Sequence, residues 1–163
     1  MEVWLESAET VAFDGIDALY VLDGQTGIWV KDGVLYRDGV QIGGHIHVDS
    51  EEAQSEARSL AGTVEWMLLT FEDWSMIPIE NILAATDATP TKVAAQIYQP
   101  IQAQGAAFAL DIGVDALLCD ETCLEAALVV KSMRLEQMSE MQSTQSETTE
   151  QIKLETMIIT EVQ

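Results

Sequence analysis

Between positions 73 and 92 the chain gathers Asp73, Glu80, Asn81 and Lys92, a set that can bind and transform a small polar molecule. Lys92 is one of only seven basic residues in a 163-residue chain. It opens the apolar run Val93-Ala94-Ala95, and a lysine partly desolvated there acquires a lowered pKa suited to imine formation or proton transfer. A lysine at a strand end can equally carry its ammonium to solvent on its alkyl stem. Glu80 and Asn81 can hold an amine or a hydroxyl, or can serve as polar groups of a helix's first turn. Asp73 follows the apolar run Trp66–Phe71, and ligands collect just past the C-terminal ends of strands in open α/β sheets and barrels.

Other reactive residue types point to less. His45 and His47 are alternate residues of one extended stretch and share a face. Spacing fixes no third ligand for them, so no metal site is expected. Cys119 and Cys123 are four apart, which is not a CxxC pair, and read as inert buried thiols. No glycine-rich dinucleotide fingerprint, P-loop or Ser/His/Asp constellation appears.

These groups must be positioned by a chain of one-domain length that is 48% hydrophobic. Its net charge is −21 and its pI near 4.1, so it repels phosphate backbones and anionic bilayers. No nucleic-acid or membrane partner is expected, and with neither a spanning segment nor a signal peptide the expected location is cytoplasmic.

Strands are expected at 2–6 and 18–22. Asp32-Gly33 and Asp38-Gly39 are two-residue hairpin signals, predicting a small antiparallel meander over 28–42 that reads as a structural appendage. Asp49 or Ser50 can cap a helix over 51–61. Then strands at 65–71, 92–98 and 115–119 alternate with helices at 78–85, from Pro100 to near Gly113, and from Glu121 to about Met141. On the last of these, Leu124, Ala127, Leu128, Leu135 and Met138 share one side. The expected fold is therefore α/β, a mainly parallel sheet of βα units with a small antiparallel meander. Residues 1–138 form the α/β domain, 139–151 a polar linker, and 152–163 a terminal strand that needs a partner at a sheet edge.

The run Asp73-Trp74-Ser75-Met76-Ile77-Pro78-Ile79-Glu80-Asn81-Ile82-Leu83-Ala84 resembles a motif of the type II 3-dehydroquinate synthases. Thr91-Lys92-Val93-Ala94-Ala95 and Gly113-Val114-Asp115-Ala116-Leu117-Leu118 are similar to two later blocks of that family, with Ala116 in place of a glycine. Val3-Trp4 resembles its opening strand. The resemblance implies an NAD-dependent enzyme that oxidatively deaminates 2-amino-3,7-dideoxy-D-threo-hept-6-ulosonate and cyclises it to 3-dehydroquinate. It casts Lys92 and Glu80 as catalytic residues and Asn81, Asp73 and Asp115 as substrate-binding ones.

Family members are longer, and their C-terminal half begins near Met157 to Gln163. The chain thus resembles the N-terminal part, and its implied partners are a chain supplying the other half or a second copy in a homo-oligomer. The alternative, from another class, is a non-catalytic acidic α/β module that binds a protein through the terminal strand.

Overall fold

The computed structural model describes residues 1–7, 14–22, 24 and 26–162, with side chains to Met141. Eight strands close into a barrel in chain order: β1 (Glu2–Glu6), β2 (Ala18–Tyr20), β3 (Ile28–Lys31), β4 (Val34–Arg37), β5 (Val40–Val48), β6 (Trp66–Phe71), β7 (Lys92–Gln96) and β8 (Ala116–Cys119). All neighbours are parallel except β3–β4 and β4–β5, and β8 pairs back onto β1 through Glu2↔Ala116 to Leu5↔Cys119. The α/β class and the meander are as expected. Closure is the difference: it leaves the described strands no sheet edge for another strand to join.

The meander is also part of the wall. Asp32, Gly33, Asp38 and Gly39 all take positive φ, the requirement of the primed hairpin turns. Yet β5 does not stop at 42. It runs on to Val48 and pairs in parallel with β6 over six positions, so the stretch read as an appendage is the hinge between the antiparallel and parallel sectors.

Period-two alternation divides the strands into two cores. Trp4, Ile28, Leu35, Trp66, Leu68, Ala94, Ala116 and Leu118 fill the interior, with the Trp4 and Trp66 rings 5.0 Å apart. Alternate residues (Val3, Ile46, Val48, Met67, Leu69, Val93, Ala95, Leu117) face outward under helices α1 (Glu51–Leu60), α2 (Met76–Thr86), α3 (Gln102–Phe108) and the start of α4. Ser50 caps α1 by accepting the Ala53 N–H.

α4 runs from Glu121 to Val162. The expected linker at 139–151 and strand at 152–163 are therefore replaced by continuous helix through Val162, and Gln163 lies outside the described residues. No glycine or proline falls between Glu121 and Val162, so nothing interrupts the backbone ladder, and a Ser/Thr-rich tract lowers helix propensity only slightly. Residues 1–131 make one compact unit and 132–163 a second, helical through its described residues. On α4, Ala127 and Val130 are buried and Leu124 and Leu128 half-buried, whereas Leu135 and Met138, expected on the same face, are exposed. Among the described residues no helix is long and apolar enough to cross a membrane.

Candidate functional site

In a barrel of parallel strands, residues at the two ends have different uses. Groups at the C-terminal ends are free to meet ligands, while those at the N-terminal ends stabilise the fold. Here the two ends are chemically distinct.

At the N-terminal end the polar groups are used up holding the wall. Arg37, brought there by the reversed direction of β4, makes a forked ion pair with Glu2 at 3.1 and 3.3 Å. Glu2 also accepts the Trp4 indole N–H at 3.1 Å. Asp17 and Asp115 each precede a strand and accept the backbone N–H of the second residue of a neighbouring one, Val3 at 2.7 Å and Val93 at 2.8 Å. Lys131 closes on Asp17 at 2.8 Å.

The C-terminal mouth carries a second polar set drawn from the last inward positions of the strands, with His45 one inward position earlier than His47 and Tyr98 just beyond β7. Glu6 comes from β1, Tyr20 from β2, His45 and His47 from β5, Thr70 from β6, Gln96 from β7 and Tyr98 from the turn after it. One chain of hydrogen bonds spans three strands. The Phe71 N–H donates to the Tyr98 hydroxyl at 2.8 Å, that hydroxyl donates to Gln96 Oε1 at 3.1 Å, and Gln96 Nε2 donates to Glu6 Oε2 at 3.3 Å. The Glu6 carboxylate is thus oriented at one side of the mouth. At the other, Thr70 Oγ1 lies 2.8 Å from His45 Nε2 and 2.9 Å from His47 Nδ1.

Titration follows from these placements. Burial raises the Tyr20 and Tyr98 hydroxyls, and the Glu6 charge adds to both, so each remains a neutral hydroxyl at physiological pH. Burial, then the charge of His47, lowers His45 and keeps it a neutral base. Burial likewise pushes the Cys119 thiol up to about 12, consistent with an inert core cysteine.

A histidine lowered on folding binds its proton more readily in the unfolded chain. It therefore costs no stability above about pH 6.5, the free imidazole value, and stability falls as pH drops from there toward the folded pKa. His45→Gln should flatten that fall relative to wild type in urea unfolding between about pH 7 and about pH 5. Parallel curves for the two proteins would show that His45 does not titrate on unfolding.

The residues expected to act together are dispersed. Lys92 is the first residue of β7 and sits at the N-terminal end, exposed, its Nζ 5.3 Å from the centre of the Trp66 ring. Asp115 is at the same end, engaged with the Val93 N–H. Glu80 and Asn81 are on α2, outside the wall, and Asn81 lines a polar groove with Glu51, Gln54 and Arg58 of α1. Lys92 shares the inward face of β7 with Ala94, whereas α2 packs on the outward face. The sheet therefore separates Lys92 from Glu80. Asp73 alone stands near the mouth's rim, in the exposed loop after β6.

Glu6, Tyr20, Thr70, Gln96 and Tyr98 were not singled out in the sequence, and His45 and His47 were considered only as metal ligands. One signal was available. In strands that alternate inward and outward, the last inward position of β1, β2, β6 and β7 is polar and follows an apolar inward residue, Trp4, Ala18, Leu68 and Ala94 in turn. Among the described residues no group of three or more His, Cys, Asp or Glu could hold a metal.

A family model described as the 3-dehydroquinate synthase II N-terminal domain matches residues 6–134. Similar proteins include the 3-dehydroquinate synthase of Methanothrix thermoacetophila, 32% identical over 82 residues, which is 50% of this chain and 23% of that protein. The 3-dehydroquinate synthase of Methanothermobacter thermautotrophicus is 30% identical over 86 residues, 53% of this chain and 23% of its own. That of Haloquadratum walsbyi is 33% identical over 81 residues, 50% and 20% of the two chains. The matched stretch thus spans only a fifth to a quarter of these relatives. No solved structure matches the chain.

Proposed function

The chain belongs to the family of 3-dehydroquinate synthase II N-terminal domains, and from that premise we propose that its barrel binds the substrate of a 3-dehydroquinate synthase at the mouth. The observation that carries this reading is the ring of polar side chains from five strands and one turn, converging where parallel barrels bind ligands. The substrate is 2-amino-3,7-dideoxy-D-threo-hept-6-ulosonate, which offers an ammonium, a ketone, hydroxyls and a carboxylate. Glu6 is the anionic partner for the ammonium, Tyr20 and Tyr98 are neutral donors for oxygen, and His45 is a neutral base for the proton that deamination or cyclisation must move.

NAD, which the resemblance implies as oxidant, finds no cradle in these residues. None of the strand-to-helix turns from β5 to α4 (49–50, 72–75, 97–101 and 120) contains the glycine that lets a pyrophosphate approach the backbone. We assign this domain the substrate and not the dinucleotide. The part of the relatives that lies beyond the matched stretch would complete the reaction. The module reading loses its stated means of docking, because residues 152–162 are helical and offer no free strand.

The test is an NMR titration of the isotope-labelled chain with the amino-keto acid. Shifts concentrated at Glu6, Tyr20, His45, Thr70 and Tyr98 are expected. Shifts concentrated around Lys92 and Asp115, or none at millimolar ligand, would overturn the reading.

A further inference from the structure

We propose that Thr70 joins His45 and His47 into a proton relay between solvent and the interior of the barrel mouth, an assignment that rests on the mouth being the reactive site. The geometry is the ground for it. One hydroxyl oxygen lies within hydrogen-bond distance of two imidazole nitrogens, at 2.8 and 2.9 Å. A threonine hydroxyl has one proton and two lone pairs, so it cannot donate to both rings. It can donate to one ring while accepting from the other, or accept from both, and a relay needs the first. Two arrangements satisfy this: His47 donates and His45 receives, or the reverse.

The two differ only in where protons sit. Starting with His47 as imidazolium, its Nδ1–H bond breaks as the proton moves to Thr70 Oγ1. The proton already on Oγ1 moves to His45 Nε2, where a new N–H bond forms. The hydroxyl is regenerated, His47 is left neutral with its proton on Nε2, and His45 becomes the imidazolium. His45 can then release a proton from Nδ1 to a bound ligand. This leaves the chain in the reverse arrangement, and the Thr70 hydroxyl and both rings must return to the starting tautomers before water supplies His47 with the next proton. No oxidant or further reactant is needed.

The surroundings set the direction of supply. His47 is exposed and His45 half-buried, so the outer ring exchanges with water and the inner one with the mouth. The strand register holds the three in place, since Thr70 pairs directly with His47 across β5–β6 and His45 is its diagonal neighbour. The other titratable groups at and just past the strand ends around the mouth are Glu6, Tyr20 and Tyr98, Asp49 after β5, Glu72 and Asp73 after β6, and Asp120 after β8. Valine would fill the threonine's space on a half-buried strand, so packing alone does not call for the hydroxyl.

The test follows the imidazole nitrogens by ¹⁵N NMR across pH in the wild-type chain, Thr70→Val and Thr70→Ser. In the wild type, His45 Nε2 and His47 Nδ1 should shift together over one pH interval, each reporting the proton gained by the pair. Thr70→Val should split them into two independent titrations, each ring in its ordinary tautomer, and Thr70→Ser should restore the coupling. Independent titration in the wild type would overturn the relay even if a variant fails to fold, as would curves unmoved by Thr70→Val. Neither readout needs ligand or turnover. Uncoupled rings in a mouth that still takes the amino-keto acid refute the relay alone, while coupled rings with ligand bound at the Lys92 end refute the site assignment.

Discussion

Gly43→Ala should sharply lower the thermal unfolding midpoint of the barrel as followed by circular dichroism. A Cβ placed on Gly43 would lie 1.7 Å from the Trp66 carbonyl oxygen and 2.6 Å from its carbon. Both distances are far inside van der Waals contact. The obstructing atoms are backbone, held in the β5–β6 ladder where Gly43 pairs with Trp66, so no rotamer change relieves the clash. Overpacking that side chains can absorb costs about 1–3 kcal/mol. Here the ladder itself must open, and about 3 kcal/mol or more is expected. That is a large part of the roughly 5–15 kcal/mol that keeps a domain folded.

Gly33→Ala is the control. A Cβ there would meet nothing within 4 Å, and only the positive φ of +76° opposes it, a cost of about 1 kcal/mol. Equal unfolding midpoints for the two variants would mean that β5 and β6 do not pair in this register.

The second large effect separates the two ends of the barrel. His45→Ala and Glu6→Ala should each weaken binding of the amino-keto acid about tenfold to a hundredfold, the worth of a hydrogen bond with a charged partner. Lys92→Ala should leave that affinity within about twofold, because its ammonium lies at the opposite end of β7 from Gln96 and Tyr98. Isothermal titration of the three variants decides the matter. A large loss confined to Lys92→Ala would return the lysine to the centre of the chemistry and empty the mouth of its role. The lysine still has a use in the fold: its stem and charge cover Trp66 at 5.3 Å, a cation–π contact of the kind worth about 0.5–1 kcal/mol at exposed sites.

Much of the molecule was legible without coordinates because it depends on neighbours in the chain. Asp32-Gly33 and Asp38-Gly39 impose positive φ locally and so declare their hairpins. Ser50 declares the start of α1 by reaching an N–H three residues ahead. Apolar runs at 66–71, 92–96 and 116–119, spaced by helical stretches, declare parallel strands under a helical layer. The motif around Trp74 to Ala84 declared the family, which sequence comparison then showed.

Two features of the sequence stand differently in the structure. Lys92 begins its strand, and the first residue of a parallel strand belongs to the end away from ligands. Residues 139–151 read as a linker and 152–163 as a strand, although no glycine or proline halts the helix before Val162.

Only the tertiary structure decided the rest. Barrel closure depends on β1 meeting β8 across more than a hundred residues, which no local propensity encodes. The same closure turns Glu6, His45, Thr70 and Gln96, distant in sequence and each unremarkable alone, into one polar ring. It also places a sheet between Lys92 and Glu80, near neighbours in the sequence, because residues on opposite faces of a closed wall cannot meet however few positions separate them.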